Sequence, residues 1–370
     1  MSDPIGVYVH VPFCAGKCPY CDFYSLAADE ATKDAYVAAV LRDVSPYAGR
    51  VRADTLYFGG GTPSLLGGER VARLTSALKT AFSIPDDGEI TMEANPGDAL
   101  AAVLSAFRCA GGNRVSLGVQ ATDDATLAAL GRRHTVAQAE NAVKTAHQCG
   151  LTNVSVDVML GVPGQTVTAV QKTAETVAAW GVTHLSAYLL KIEPGTPFAK
   201  HTPVLPDEDE AADLYLAAVT SFAAKGFSQY EISNFAKPGF ESRHNLKYWN
   251  AAEYLGFGPA AHSYFGGKRT YFARDLQGFL AGTLSLQAEE NRADIAFSAG
   301  SPEEYALLRL RLCDGLSEVA FRQTFGTPIP AQWRARAAAF PRNLVTVDEA
   351  GIRFSAEGFL VSNTLLAGIL

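Results

Sequence analysis

The sequence predicts an α/β protein, a partial (β/α)6 barrel followed by a C-terminal α+β domain of winged-helix type. Three observations support this class. Strand and helix patterns alternate six times over residues 1–226, the pattern becomes aromatic and irregular over 227–299, and helices surround one hairpin over 300–370. Six strand–helix units fall short of the eight in a full barrel. We therefore expect three parts with these boundaries.

Runs rich in β-branched and aromatic residues predict the six barrel strands. They cover residues 5–11, 54–58, 89–93, 114–119, 153–159 and 183–190. Helical spacing places helices at 29–44, after Asp98, and at 123–130, 136–149, 167–180 and 207–225. Because strands and helices alternate, we expect a parallel sheet with right-handed crossovers. The sheet must curve if it encloses a site at the carboxyl ends of its strands.

The rest of the chain has a different pattern. Over 227–267 the aromatic, irregular sequence indicates short strands and loops that cover the open side of the barrel. Ser301 to Glu304 predict a capping box with proline at the first helical position, which opens the C-terminal domain. The predicted elements of that domain are a helix at 305–313, hairpin strands at 344–347 and 352–354, and a closing helix at 356–370.

Composition and charge narrow the class of function. The chain has 370 residues, 48% hydrophobic and 19% charged, which is typical of a soluble globular protein. Its net charge of −7 argues against a nucleic-acid partner, so we expect the winged-helix domain to serve packing or partner docking. No apolar run reaches membrane-spanning length, and no secretory signal pattern opens the chain. We expect a cytoplasmic protein, and the composition leaves a loosely membrane-attached state open.

A cysteine-rich loop directly follows the first strand. Residues 9–24, VHVPFCAGKCPYCDFY, place Cys14, Cys18 and Cys21 in a C-x3-C-x2-C pattern. Gly16 and two prolines keep this loop from forming a regular element. Three thiolates can hold three of the four irons of a [4Fe–4S] cluster, which leaves the fourth iron open to a small chelating ligand.

Two other interpretations of these thiols stay open at this point. A structural zinc ion would need a fourth ligand, for which His10 is nearest, although its strand position is out of phase with the loop. The thiols could also be unligated, since disulfides within the loop cannot pair all three. Cys109, Cys149 and Cys313 stand apart in apolar, helical sequence, and we expect them to be small buried side chains.

The cysteine spacing, with Tyr20 before the last cysteine, resembles the radical S-adenosylmethionine (SAM) superfamily, in which the amino and carboxylate groups of SAM chelate the open iron. The resemblance implies the same six-stranded partial barrel that the strand count predicts. Gly59-Gly60-Gly61-Thr62-Pro63 matches the superfamily motif that binds the methionyl amine. Glycines let the backbone approach a ligand closely, and Thr62 adds a hydroxyl group. A simple turn would not require three glycines.

Polar residues occupy corresponding positions on the next three strands. Glu93 ends the third strand, Gln120 ends the fourth, and Asp157 lies on the fifth. In proteins that resemble this one, residues at these positions contact SAM. The resemblance also places Arg132 of LGRRHT near the SAM carboxylate and Tyr8 beside its methionyl part. Any one of them could be an ordinary polar residue at a strand end, but together they favour a binding site.

A second stretch, residues 229–249, contains the pattern H-N-x-x-Y-W. Its residues are His244, Asn245, Tyr248 and Trp249. The imidazole could ligate a haem iron, the two aromatic rings offer flat apolar area, and Arg243 and Lys247 could meet propionates. From the residues alone, a lone histidine in an aromatic patch is more often a hydrogen-bonded core or lid residue. His262, in GFGPAAHSY, is a weaker candidate ligand of the same kind.

Together these motifs resemble the HemW family of radical SAM haem chaperones. The resemblance rests on the cysteine loop with Asp22-Phe23, GGGTP, SLGVQ, GVPGQT, EPGTP, HNLKYW and EEYALLRLR, and it runs nearly end to end. It implies a [4Fe–4S] cluster on the three cysteines of the loop, SAM across the strand ends, and haem as cargo held through the H-N-x-x-Y-W motif.

The resemblance also implies partners. Haem would pass to acceptor haemoproteins, and the SAM-ligated cluster would regulate this transfer. A change in oligomeric state is one way in which the cluster could do so. The resemblance suggests bacterioferritin and a respiratory membrane protein as acceptors. It also suggests a homodimer, and attachment to the membrane surface when haem is bound. No nucleic acid is expected.

A related enzyme family, oxygen-independent coproporphyrinogen III dehydrogenase (HemN), gives the main alternative. HemN carries a further cysteine two positions after the third, and an N-terminal extension that helps cover its substrate. This chain has Phe23 at that position and begins thirteen residues before Cys14, and both differences argue against porphyrinogen oxidation. A radical SAM enzyme with another substrate is the second alternative. Ala121-Thr122-Asp123, where Ser-Phe is usual, is a local departure from the HemW pattern.

Overall fold

The computed structural model describes residues 3–97, 100–289 and 297–370. The six barrel strands lie within two residues of their predicted bounds. The strands are β1 (Ile5–Val11), β2 (Ala53–Gly60), β3 (Glu89–Ala94), β4 (Arg114–Gln120), β5 (Asn153–Leu160), β6 (His184–Leu189), β7 (Ser228–Gln229), β8 (Asn234–Ala236), β9 (Tyr254–Phe257), β10 (His262–Phe265), β11 (Lys268–Tyr271), β12 (Gln287–Ala288), β13 (Leu316–Ser317), β14 (Val345–Asp348) and β15 (Gly351–Phe354).

Side-chain caps begin most of the helices. Asp29 accepts a hydrogen bond from the Thr32 amide, and Thr135 and Asp207 form complete capping boxes. The helices are α1 (Glu30–Val44), α2 (Gly68–Ala81), α3 (Leu100–Cys109), α4 (Asp124–Ala129), α5 (Val136–Gln148), α6 (Val167–Ala179), α7 (Pro197–Lys200), α8 (Glu208–Ala224), α9 (Arg243–Trp249), α10 (Leu276–Ala281), α11 (Pro302–Arg309), α12 (Glu318–Phe325), α13 (Ala331–Ala338), α14 (Ala356–Leu360) and α15 (Ser362–Ile369). The predicted helix after Asp98 is α3, and Asp98 itself lies outside the described residues. Helix α2 was not predicted.

Strands β1 to β6 lie side by side in chain order and pair in parallel. This is the arrangement expected of consecutive strand–helix units. The sheet continues at both edges. On one side β9 pairs in parallel with β1 and is followed by antiparallel β10, β11 and β12, while on the other side β6 is followed by antiparallel β8 and β7. Residues 227–267 therefore extend the sheet, whereas we expected them to cover its open side.

Alternate residues of the six parallel strands differ in polarity. Those facing outward are almost all apolar and join the helices in one hydrophobic core. Those facing inward are mostly polar, and their side chains bond across strands: Tyr57 to Glu93, Ser116 to Asp157, and Ser155 to His184. A polar interior is suited to holding a ligand, unlike the branched apolar layers that fill a closed eight-stranded barrel.

Helix α9, which carries the H-N-x-x-Y-W pattern, closes the amino end of the barrel. Glu89, the first residue of β3, accepts hydrogen bonds from the amides of Arg243 (2.9 Å) and His244 (3.0 Å) at the start of this helix. The Lys247 ammonium donates to the Pro4 carbonyl just before β1 (2.8 Å). The motif thus lies at the opposite end of the strands from the cysteine loop.

The C-terminal domain has the helix–strand–helix–helix–hairpin order of a winged helix. Strand β13 pairs with β15, and β15 pairs with β14, as predicted for the hairpin. The predicted closing helix is interrupted at Val361 and forms α14 and α15. Ser301 caps α11, but the Glu304 carboxylate accepts from the Gly300 amide and from Arg269 and does not bond back to Ser301, so the capping box is half formed.

The remaining cysteines only partly match their prediction. Cys109 is exposed at the end of α3, so the expectation that it is buried is wrong. Cys149 and Cys313 are half-buried, and burial raises the pKa of Cys313 to about 12. Within the described parts of the chain, no helix has both the length and the apolar composition to cross a membrane.

Candidate functional site

A cavity of about 540 Å³ lies at the carboxyl ends of the strands, beside the cysteine loop. We call it the loop cavity. Its lining includes Cys14, Cys18, Thr62, Asn95 and Arg132. Crevices at the carboxyl ends of parallel strands are the usual binding sites of such sheets, because the loops that follow the strands meet there.

Hydrogen bonds join these side chains into a chain that links two of the thiols. The Thr62 hydroxyl lies 3.8 Å from the Cys14 sulfur and accepts a hydrogen bond of 2.9 Å from the Asn95 amide. The Arg132 guanidinium donates to Asn95 Oδ1 (2.5 Å), to the Gly118 carbonyl (2.7 Å) and to the Cys18 sulfur (3.4 Å). The Arg132 guanidinium thus lies within hydrogen-bond distance of one thiol of the cysteine loop.

The cysteine loop supplies donors that suit iron. Cys14, Cys18 and Cys21 are all half-buried, and burial raises the pKa of Cys21. Among the described residues no group of three or more His, Cys, Asp or Glu side chains is gathered closely enough to hold a metal ion. The His10 ring bonds to Tyr8 through Nδ1 and to the Tyr24 carbonyl through Nε2, so it has no nitrogen for a zinc ion in this arrangement.

The glycine turn approaches both the loop and the barrel interior. A Cβ atom at Gly61 would lie 2.5 Å from the Phe13 carbonyl oxygen, and Gly60 has a φ of +109°, so neither position accommodates a side chain. The Gly60 amide donates to Glu93 (3.2 Å). Close packing against the cysteine loop therefore explains part of the GGGTP pattern without a ligand.

Glu93 and Asp157 are mostly buried carboxylates that line the barrel interior. Burial raises the pKa of Glu93 to about 7, and the nearby Asp157 adds to this shift. Burial also raises the pKa of Asp157, which accepts a hydrogen bond from Ser116 (3.0 Å). Two carboxyl groups with perturbed pKa values that face one interior are typical of a functional site.

Two of the predicted SAM contacts take unexpected positions. Gln120 adopts a φ of +71° where the register between β4 and β5 shifts, and its side chain turns back toward Gly118 and Arg132. Tyr8 does not line the loop cavity. It lies in the barrel interior beside the rings of Tyr57 and His244, at 6.2 Å and 6.4 Å between centroids, and faces a second cavity.

Asn95 is a residue that the sequence interpretation missed. It lies directly after β3 and bonds to both Thr62 and Arg132, so it connects three loops of the site. Its position in MEANPG, two residues after Glu93 and before a proline, was the available signal. The bonds themselves could not be inferred because they join distant parts of the sequence.

The second cavity, of about 760 Å³, lies where β1 meets β9, β10 and β11. We call it the aromatic cavity. Its walls include the rings of Tyr8, Tyr24, Tyr248, Tyr254, Tyr271 and Phe272. His10, His262 and Arg274 also face it, and Phe23, 66% exposed, lies at its edge. Tyr24 follows Cys21 by three residues, so the cysteine loop borders both cavities.

The H-N-x-x-Y-W motif contributes one residue, Tyr248, to the aromatic cavity. His244 is fully buried, with Nδ1 2.8 Å from the Thr55 hydroxyl and Nε2 2.7 Å from the Tyr248 hydroxyl. Burial lowers the pKa of His244 to about 3. Neither ring nitrogen is available to iron in this arrangement, which corrects the picture of an imidazole directed at a ligand. The alternative interpretation, a hydrogen-bonded core histidine, matches its surroundings.

The other predicted haem contacts lie away from this cavity. Asn245 and Trp249 are half-buried on α9 and do not contribute to its lining. Lys247 pairs with Asp54 (2.7 Å), and Arg243 donates to the Asp87 carbonyl (2.7 Å). Both cations are therefore held at the amino end of the barrel and do not meet a ligand in the aromatic cavity.

The chain is similar to a family model and to several known proteins. Residues 8–177 match the model of the radical SAM superfamily. The chain is 37% identical over 327 residues to "Heme chaperone HemW" of Escherichia coli (strain K12), covering 86% of this chain and 85% of that protein. It is 32% identical over 358 residues to "Heme chaperone HemW" of Bacillus subtilis (strain 168), covering 95% and 93%.

A mammalian protein and a solved structure are also similar. "Radical S-adenosyl methionine domain-containing protein 1, mitochondrial" of Mus musculus is 34% identical over 396 residues, covering 100% of this chain and 88% of that protein. The structure of coproporphyrinogen III oxidase (HemN) from Escherichia coli, a radical SAM enzyme, superposes with a TM-score of 0.80 at 22% identity, covering 99% of this chain and 90% of that chain. This likeness confirms the predicted fold class and, at that identity, concerns the fold alone.

Proposed function

This chain belongs to the HemW family, and on that premise we propose that it is a haem chaperone, which binds haem and delivers it to acceptor haemoproteins. The observation that carries the proposal is the similarity to proteins named heme chaperone HemW over nearly the whole chain. The aromatic cavity supports it, because flat rings around a space of about 760 Å³ suit a planar macrocycle.

The donor set of the loop suits a [4Fe–4S] cluster. Cys14, Cys18 and Cys21 would hold three irons, and Arg132 beside Cys18 would stabilise the negative charge of the sulfurs. A reduced cluster of this kind supplies one electron to bound SAM. The residues around the loop cavity would orient both groups and exclude water.

SAM would lie between the loop cavity and the barrel interior. The Nε atom of Arg132 is buried without a partner among the described residues, which leaves a donor for a carboxylate. Thr62 and the backbone of Gly60 and Gly61 would hold the amine end, and Glu93 and Asp157 would face the positive charge. Gln120, beside Gly118, would contact the nucleoside side.

In this proposal the H-N-x-x-Y-W motif contributes to haem binding through Tyr248. Because His244 fixes the Tyr248 hydroxyl from within the barrel, it orients a ring of the cavity wall and does not ligate iron directly. Phe23, which occupies the position of the additional HemN cysteine, forms the apolar edge of the same cavity.

An anaerobic haem titration of the reconstituted protein, followed by absorbance, tests this function. We expect saturable binding of one haem per chain with a defined Soret band. Incubation with coproporphyrinogen III, SAM and a reductant should give no oxidised porphyrinogen. The absence of saturable haem binding would contradict the chaperone function, and porphyrinogen oxidation would favour the HemN-type enzyme. Formation of 5′-deoxyadenosine that depends on another substrate, without haem affinity, would indicate a different radical SAM enzyme.

A further inference from the structure

The aromatic cavity contains a histidine whose surroundings differ from those of every other histidine in the chain. We propose that His262 on β10 ligates the haem iron through Nε2, and that Glu289 orients its ring. The inference rests on the proposed function, since it names the iron ligand of that same binding event. It places the iron at His262 in the aromatic cavity and not at His244, which the sequence pattern favoured.

The contacts of His262 are those of a prepared ligand. Its Nδ1 is hydrogen-bonded to the carboxylate of Glu289, which is itself 8% exposed. A carboxylate on Nδ1 fixes the tautomer with Nε2 unprotonated and makes that nitrogen a better donor to iron. No group among the described residues bonds to Nε2, and the side chain is 42% exposed. The ring is also held flat against Tyr271, with 5.5 Å between centroids.

The other histidines lack this combination. His10 also faces the aromatic cavity, but both of its nitrogens are hydrogen-bonded, as are those of His184 and His244 in the barrel. His134 is buried and bonds to the Val119 carbonyl. His147 and His201 lie on or beside outer helices, away from this cavity. Of the seven histidines, His262 alone both faces the aromatic cavity and keeps a nitrogen without a described partner.

The rest of the cavity complements a haem attached at this point. The rings of Tyr8, Tyr248 and Tyr254 form apolar walls, and burial raises the pKa of all three hydroxyl groups, which stay neutral. Arg274 lies on the lining with a side chain that is 60% exposed and donates to Asp22 at 3.2 Å. An exposed guanidinium at the edge of an apolar pocket suits a propionate. The volume falls within the range of about 300–1,000 Å³ usual for ligand pockets.

The binding step is a simple coordination. The Nε2 lone pair forms a bond to the iron of free haem and displaces a water molecule from it, while the proton on Nδ1 stays in the hydrogen bond to Glu289. No electron is transferred and no proton is released. Haem can leave by the reverse exchange, which is consistent with a carrier that must give up its cargo.

The test compares haem titrations of the full-length, reconstituted wild type with those of His262→Ala, His262→Gln and His201→Ala under anaerobic conditions. We expect both His262 variants to lose the absorbance and electron paramagnetic resonance signature of histidine-ligated iron and to bind haem roughly tenfold or more weakly. Free imidazole should restore the spectrum of His262→Ala, which a purely structural role would not explain. His201→Ala, an exposed histidine away from the cavity, should behave as the wild type does.

The outcomes separate the two proposals. If the wild type binds haem and both His262 variants keep its spectrum and affinity, the assignment of this ligand is overturned while the chaperone function stands. If the wild type itself shows no saturable binding, the function fails and the ligand assignment fails with it. His262→Gln keeps the size of the side chain and a possible bond to Glu289, so it remains informative if His262→Ala does not fold.

Discussion

His244 shows how a residue that matches a binding motif can instead be part of the core. Its ring lies within the barrel, stacked on Tyr57 at 5.2 Å between centroids, and both nitrogens are hydrogen-bonded. A charged imidazole at this buried position would be desolvated without a carboxylate bonded to it. The residue should therefore affect stability more directly than it affects haem.

This position predicts a pH dependence of stability. The pKa of His244 is lowered from 6.5 to about 3, so below pH 6.5 the unfolded chain binds a proton that the folded chain does not. Stability from this residue is complete above pH 6.5 and declines as the pH falls toward 3, by about 1.4 kcal/mol per pH unit. His244→Gln keeps hydrogen-bonding capacity without this titration. Urea unfolding at several pH values should show a shallower decline for the variant, and parallel declines would refute the assignment.

Candidate site residues could be predicted from the sequence where a single local pattern pointed to them. The loop of Cys14, Cys18 and Cys21 could be singled out as a candidate site from its spacing, and Glu93 from its place at a strand end. Asn95 could not, because its role depends on bonds to Thr62 and Arg132 across three loops. His262 was a weak candidate for the same reason, since its partner Glu289 follows 27 residues later in the chain.

At the scale of elements, strands and long helices were predictable because their signals are local. β1 matches its predicted bounds, and helices such as α8 begin at a recognisable cap. The short helix α9 was not predicted. Its seven residues would be marginal alone, and it depends on a carboxylate from a strand more than 150 residues earlier. Tertiary contacts of this kind leave little signal in the local sequence.

The attachment of α9 gives a prediction for Glu89. This side chain accepts from the amides of Arg243 and His244, which have no partner within the helix. Glu89→Ala leaves both amides unsatisfied at the amino end of the barrel, and we expect a loss of about 2–4 kcal/mol in the free energy of unfolding. Glu175→Ala, an exposed position on α6, is the matched control and should cost no more than about 0.5 kcal/mol. Equal effects in urea unfolding would contradict the proposed anchoring.

At the scale of the whole molecule, the two cavities are joined by one loop. The thiols of Cys14 and Cys18 face the loop cavity, whereas Phe23 and Tyr24, a few residues later, face the aromatic cavity. A change at the proposed cluster would therefore have a short covalent path to the aromatic cavity. This adjacency was not predictable from the sequence, because it follows from the way β9 and β10 extend the sheet beside β1.

From the position of the cysteine loop between the two cavities, we predict that the proposed cluster controls the release of haem and not its uptake. Cys14→Ser removes one of the three proposed cluster ligands, but Cys14 does not line the aromatic cavity. We expect this variant to bind haem with the stoichiometry of the wild type and to fail in passing it on. Cys109→Ser, which changes an exposed cysteine on α3, is the matched control and should leave both steps unchanged.

The most direct measurement is haem transfer from the loaded, reconstituted protein, with SAM and a reductant, to apo-bacterioferritin, followed by the haem content of the separated acceptor. The account predicts that the wild type and Cys109→Ser load the acceptor faster than an equal concentration of free haem, while Cys14→Ser retains its haem. Loading by the wild type that is no faster than loading from free haem would contradict delivery to this acceptor, and delivery by Cys14→Ser at the wild-type rate would contradict control by the cluster.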